Sequence, residues 1–308
     1  MQHSRLISIL VATALSSAIS VAVAASPQLA AGFNPAATAQ ALPTACDGGG
    51  PLSRGIFAAL SLRMVGLTAD GRLVCFRERT PQIVTSLGFV SGLVTDTSVV
   101  GIDYRVQDGL LYAVGNAGGV YLLNTATAAA TLVNRLSVAM DGTAFGVDFN
   151  PAADRLRIVS NTGQNLRHNV NSGGVTLTDT ALAYTVGMPA TAVTGAAYTN
   201  NDLDANTATS IFDIDTALDQ VVLQSPANGG TLAATGRLTV DAQAAVGMDI
   251  YSTIIAGVTV ANRAYAALTP LGGTSSLYAV ELTTGKATLR GAFATDNHIV
   301  DIAIPQAQ

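Results

Sequence analysis

Three arginines fall within thirteen residues of one polar stretch, "FNPAADRLRIVSNTGQNLRHNV" at 149–170, in a chain that is otherwise 49% hydrophobic. Asn161-Thr162-Gly163 suits a three-residue hairpin loop with Gly163 in the left-handed conformation, which pairs Ser160 with Gln164. That register puts Leu156, Ile158, Leu166 and His168 on one face. Arg155, Arg157, Asn165, Arg167 and Asn169 share the other, with Arg157 directly across from Arg167. Opposed like charges need an anion between them. One source is internal: Asp148, Asp154 or an acid of an adjoining unit. The other is a ligand carboxylate, sulfate or phosphate, which guanidinium forks grip well. The internal network is the favoured reading, and a solvated hairpin projecting from the fold is the third.

Aspartates form the second candidate constellation. Glycine-apolar-aspartate recurs as "GIDY" at 101, "GVDF" at 146 and "GMDI" at 247, with "GAAY" at 195 and "IVDIAI" at 299 as degenerate copies. Asp103, Asp148, Asp249 and Asp301 therefore occupy equivalent places, and Ala197 breaks the series. A ring of such acids could grip a cation or a basic ligand group. The structural alternative, favoured by repetition itself, is that each carboxylate accepts backbone or turn hydrogen bonds inside its own unit.

Other chemistry leaves little trace. No Gly-x-Ser-x-Gly elbow, phosphate loop or His-rich metal motif is present, so no metal and no cofactor is expected. "NNDLDANT" at 200–207 starts like a calcium loop with Asp202, Asp204 and Asn206, but lacks the following Gly and the closing Glu. His168 and His298, the two histidines beyond the signal, read as packed or surface residues rather than as a catalytic pair.

The elements that must position these residues follow from the repeat. The anchors 103, 148, 197, 249 and 301 are spaced by 45, 49, 52 and 52 residues, a period typical of propeller blades. Within a period four short strands alternate with Gly, Asn and Asp turns, as in "LLYAV", "GVYLLN" and "ATLV". The first period lacks its opening strand and starts with "IFAALS", "RLVCF" and "QIVTSLG", whereas the final "IVDIAI" is an opening strand with nothing after it. Joining the two closes a ring and buries its edges. The expectation is an all-β fold, one β-propeller of five four-stranded blades; a parallel solenoid would not need the split unit. Aligned on this scheme, Tyr121, Phe212 and Tyr278 take the place of Arg167 in blades two, four and five, and Leu111 takes that of Arg157. One blade has exchanged an apolar packing face for a cationic one.

The runs "VVGIDYRVQDGLLYAVGNAGGVYLLNTATAAATLV", "GTAFGVDFNPAADRLRIVSNTGQNLRHNV", "VTGAAYTNN" and "SSLYAVELTTGKATL" resemble the bacterial exported family known as domain of unknown function 4394, over roughly residues 60 to 302. The resemblance implies an exported, propeller-like repeat protein and brings no substrate or catalytic residue with it. His168 stands where such sequences commonly carry a hydrophobic residue.

The N-terminus "MQHSRLISILVATALSSAISVAVAASPQ" reads as a secretory signal over 1–24, with an uncleaved anchor as the alternative. A flexible Ala- and Pro-rich leader over 25–50 and a propeller domain over 51–308 follow, with no spanning segment after cleavage. Cys46 and Cys75 are expected to pair in an oxidising compartment, secreted or periplasmic. "LPTAC" before Cys46 is a poor lipid-attachment box. With 15 basic against 20 acidic residues the chain offers no phosphate-tracking surface, which excludes nucleic acid as a partner. The expected protein is a monomeric, non-catalytic binder or scaffold for an anionic or polar small molecule, a glycan or a protein. The alternative is an extracytoplasmic hydrolase or lyase that attacks a glycan or lactone through channel carboxylates.

Overall fold

A computed structural model of the chain describes residues 41–47, 61–185 and 187–308. The expected signal, most of the leader and the "IFAAL" run lie outside these residues. Blade 1 begins with β1 (Arg63–Thr68), β2 (Arg72–Arg77) and β3 (Thr80–Phe89). Blade 2 comprises β4 (Val99–Tyr104), β5 (Leu111–Gly115), β6 (Gly119–Leu123) and β7 (Ala130–Arg135). Blade 3 comprises β8 (Phe145–Asn150), β9 (Arg155–Ser160), β10 (Asn165–His168) and β11 (Thr176–Thr178). A two-stranded ribbon, β12 (Ala183–Thr185) and β13 (Met188–Pro189), precedes blade 4, which holds β14 (Val193–Tyr198), β15 (Ile211–Asp215), β16 (Gln220–Gln224) and β17 (Leu232–Arg237). Blade 5 runs through β18 (Gly247–Ile255), β19 (Val258–Leu268), β20 (Ser276–Val280) and β21 (Ala287–Ala292). The last strand, β22 (Ile299–Ala303), pairs antiparallel with β1 and completes blade 1 from inside. The protein is a five-bladed β-propeller closed as the split repeat requires.

The repeated glycine explains how five inner strands fit around one axis. A Cβ at Gly101 would stand 2.4 Å from Val147 Cγ2, and one at Gly247 would stand 2.3 Å from Asp301 Cα. Real side chains do not tolerate such distances, so the glycine is what lets neighbouring inner strands close the ring. Between the blades lie apolar seams. Leu110, Tyr112, Val114, Val147, Phe149 and Ile158 fill the seam between blades 2 and 3, and Ile214, Met248, Ile250 and Ala266 fill that between blades 4 and 5.

Cys46 and Cys75 form a disulfide with Cα atoms 5.4 Å apart. It ties the short turn Thr44–Asp47 to β2. Leu42 and Cys46 pack into the cluster of Val65, Leu67 and Tyr104, so this part of the expected flexible leader is pinned to the ring. Among the described residues no helix is long and apolar enough to cross a membrane.

Candidate functional site

The aspartates of the repeat surround the axis, and all four are buried. Their bonds run between blades rather than within one. Asp301 of blade 1 accepts the Ile102 N–H of blade 2 at 2.7 Å, and Asp103 of blade 2 accepts the Phe149 N–H of blade 3 at 2.7 Å. Asp148 of blade 3 accepts the Tyr198 N–H of blade 4 at 3.1 Å, and Asp249 of blade 5 accepts the Ile304 N–H just past β22 at 2.6 Å. Asp249, Asp301 and Asp103 add a bond from the residue next to them in their own strand. The within-blade bonding expected from the sequence is thus secondary. A carboxylate is long enough to cross the close approach that glycine creates, and it satisfies an inward N–H that the neighbouring blade leaves without a strand partner. The seam from blade 4 to blade 5 has no such stitch, because Ala197 stands there.

Concentrating acids in this way carries an electrostatic cost. Burial, with the charges of Asp249 and Asp301 added, drives the Asp103 carboxyl well above the usual carboxylate range. Burial and the charges of Asp103 and Asp249 do the same to Asp148, and burial raises Asp301 well above its usual range. Burial raises Asp249 to about 7, against two backbone hydrogen bonds. Asp103, Asp148 and Asp249 each present an oxygen within 4.8 Å of the other two, a donor set that could hold a hard cation. Shared protons relieve the same repulsion without one.

In the arginine hairpin Arg157 pairs with Arg167 and His168 with Leu156, the register expected from the loop. Arg157 is 3% exposed. Its guanidinium donates to Tyr198 Oη at 3.2 Å, Asn165 Oδ1 at 2.7 Å, Asp179 Oδ2 at 2.7 Å and Asn228 Oδ1 at 2.7 Å. Arg167 donates from Nε to Asp179 Oδ1 at 2.9 Å. The anion between the two arginines is therefore Asp179, just past β11. It is neither Asp148, which is turned to the axis, nor Asp154, which pairs with Arg105 of blade 2 at 2.6 Å. Although burial works against its charge, Tyr198 and Asp179 hold Arg157 above its ordinary pKa. Arg155 bonds only the nearby carbonyls of Ala153 and Asp154, and Asn169 caps the turn at Asn171. His168 on the opposite face is wedged between Thr176 and Asn134 of blade 2, and burial lowers its pKa to about 4.

The sister positions need correction. Pairing with the anchors places Leu67, Tyr112, Phe212 and Tyr265 where blade 3 has Arg157. Leu73, Leu122, Leu223 and Ala279 stand where it has Arg167. Tyr121, Tyr278 and Leu111 are one residue out of step, which in a strand means the opposite face, and Phe212 lies on a second strand rather than a third. The corrected comparison also exposes Asp213, which sequence reading passed over. Its counterparts are Thr68, Ala113, Ile158 and Ala266. Asp213 faces blade 3 with 0% exposure, and neither carboxylate oxygen has a hydrogen-bond partner. Burial raises its pKa well above the usual range and the charge of Arg157 opposes this only in part.

The residues that open each inner strand make a different kind of surface. Val99, Phe145, Thr194, Val246 and Val300, one from each blade, line a cup of about 280 Å³ at the channel mouth. Its remaining walls are alanine, valine and hydroxyl side chains, and no titratable residue lines it. The acids lie one to four residues further down the same strands, at roughly 3.3 Å per residue. The hydroxyl of Thr194 is buried without a partner. The repeat itself pointed to these positions, since each precedes an anchor by one to four residues, but the mostly apolar types marked them as core.

The family model described as Domain of unknown function (DUF4394) matches residues 72–303. No curated protein matches. Among solved structures, an auxiliary nutrient binding protein from Bacteroides ovatus is similar with 16% identity and a TM-score of 0.37, over 56% of this chain and 46% of that one. A protein of unknown function from Bacteroides thetaiotaomicron is similar with 13% identity and a TM-score of 0.45, over 80% and 68%. A putative 6-phosphogluconolactonase from Bacteroides uniformis is similar with 13% identity and a TM-score of 0.38, over 74% and 81%. The chain spans about half the length of the first of these. Likeness at this level carries no argument about activity.

Proposed function

We propose that this chain, which belongs to the DUF4394 family, is an extracytoplasmic, non-catalytic binding protein that takes an uncharged small molecule at the channel mouth. The observation that carries the reading is the cup: five blades converge on it, and no acid, base, imidazole or thiol lines it. Its volume sits at the lower end of ligand pockets, about 300 Å³ and upward, and its mostly apolar wall with a few hydroxyls is the usual composition of such sites. The channel acids are committed to backbone N–H groups below it, which supports a structural role and weakens the hydrolase or lyase alternative. Arg157 and Arg167 are engaged with Asp179, which weakens the anion reading in favour of the internal network. The Cys46–Cys75 disulfide supports an oxidising compartment.

Filling the cup tests the reading. In a ligand screen on the mature protein, hits should be lost on Ala144→Phe and Ala245→Phe, with the unfolding midpoint within a few degrees of the parent. Hits that survive both substitutions but vanish on Asp103→Asn would move the function to the acids and revive catalysis.

A further inference from the structure

The mouth face carries a second depression, of about 320 Å³, in the seam between blade 5 and the strand that closes blade 1. It lies beside the cup, since Gln243 and His298 in its wall are each two residues from cup residues Ala245 and Val300. The chemistry of its lining is different. Gln243, Thr269, Thr274, Ser275, Asn297 and His298 all turn hydrogen-bonding side chains or backbone to it, and no Asp, Glu, Lys or Arg lines it.

Several of these groups are held in position from behind. Asn297 donates to Asp296 Oδ1 at 2.9 Å and accepts from Arg72 at 3.3 Å. Ser275 donates to the Ile299 carbonyl at 3.1 Å, which leaves its oxygen to accept. Gly273 brings bare backbone into the wall, where a Cβ would press on Pro270 at 3.0 Å. One group is conspicuously unsatisfied: Thr269, 5% exposed, has a buried hydroxyl with no partner. Leaving such a hydroxyl unpaired is unfavourable, and a ligand that bonds it recovers the loss.

We propose that this pocket binds a neutral polyhydroxylated ligand the size of one sugar ring. A charged ligand would give up hydration with no counter-charge to meet it. An apolar ligand would strip water from half a dozen polar groups and satisfy none of them. A polyol both donates and accepts along its length, which matches hydroxyl, amide and imidazole groups converging from three segments of chain. The exposed ring of His298, for which the fold has no evident use, supplies the flat side against which a pyranose lies.

The test is amide shift mapping by NMR on the mature protein with D-glucose, D-galactose and N-acetylglucosamine, and with inorganic phosphate as the charged control. At least one sugar should shift Thr274, Ser275 and His298 saturably, and phosphate should not. Thr269→Val, nearly isosteric, and His298→Ala should each weaken that sugar about tenfold while leaving the urea midpoint at or above that of the parent. Absence of a saturable shift with all three sugars, an equal response to phosphate, or unchanged affinity in both variants would overturn the proposal. The cup-filling Ala144→Phe separates it from the preceding reading. Sugar binding that survives Ala144→Phe and fails with His298→Ala belongs to this pocket; the reverse assigns it to the cup and refutes the inference.

Discussion

Two seams of the same ring are built from opposite materials. Between blades 2 and 3, Tyr112 meets Phe149 edge-on with centroids 5.2 Å apart, inside an apolar cluster. Between blades 3 and 4 the equivalent places hold Arg157 and Tyr198, joined by a hydrogen bond and surrounded by Asn165, Asp179 and Asn228. Asp213 replaces a small or apolar residue on the facing blade. An arginine on one side of this seam and an unpartnered carboxyl on the other, where the sister blades carry no ionisable acid or base, are a paired exchange. It teaches that a conspicuous cationic cluster can be an architectural device: the arginine answers to the protein's own acids and amides.

The comparison breaks most visibly if one partner is removed. Arg157→Leu should cost about 3–5 kcal/mol in urea unfolding, because it takes the guanidinium from Asn165 and Asn228, leaves Asp179 with Arg167 alone and removes the one positive charge that opposes burial of Asp213. Tyr112→Leu at the sister place should cost less, about 2 kcal/mol, for part of an aromatic ring and the hydrogen bond its hydroxyl donates to Asp108. Equal losses would mean that the polar seam is not special. Converting the seam to its sisters' chemistry is the next test. Arg157→Tyr with Asp213→Ala should be more stable than the sum of the single variants by about 0.5–3 kcal/mol, and strict additivity would show that the two sites do not feel one another.

The acids make a pH-dependent counterpart. Asp103, Asp148, Asp213 and Asp301 have pKa values well above the ordinary range, and Asp249 sits at about 7. Such groups keep protons in the folded state that the unfolded chain releases above about 4. Their stabilising contribution is full below that value and is lost as pH rises through the folded pKa, so stability should fall from pH 5 to pH 8. His168, lowered to about 4, acts in the opposite sense by stabilising above 6.5, but it is one group against five. Below about 4, Asp96 and Asp154, whose pKa values are lowered despite burial by hydrogen bonds from Tyr121 and Arg105 respectively, lose their contribution as they protonate. Asp249→Asn should flatten the slope between pH 5 and 7; an unchanged melting-temperature profile would show that Asp249 ionises like an exposed acid. The smallest effect belongs to Arg155→Ala, within about 0.5 kcal/mol, since its bonds go only to nearby carbonyls.

The ring was legible in the sequence because its cause is local and repeated: the glycine that permits close approach and the acid two places later recur together in blades 2, 3 and 5, one of the two remains in blades 4 and 1, and the split unit dictates closure. The hairpin register was legible from Gly163 and its loop. What was not legible depends on contacts between blades. The aspartates stitch neighbours together, a relation no single repeat displays. Asp179 lies just past a strand end, before the β12–β13 ribbon that the repeat does not predict. Asp213 looked like an ordinary polar residue in "IFDID" until strand pairing showed which face it occupies. The cup was hidden for the opposite reason, since its valines and alanines are the residue types of a core.

The charged residues hold the blades, and in the proposed function the uncharged mouth receives the ligand. The most direct measurement is amide shift mapping of the mature protein with a fragment library containing neutral and anionic members. Saturable shifts should gather at Val99, Phe145, Thr194, Val246 and Val300 with neutral fragments. Shifts that gather at Arg155, Arg167 and Asn169 with anionic fragments would contradict it.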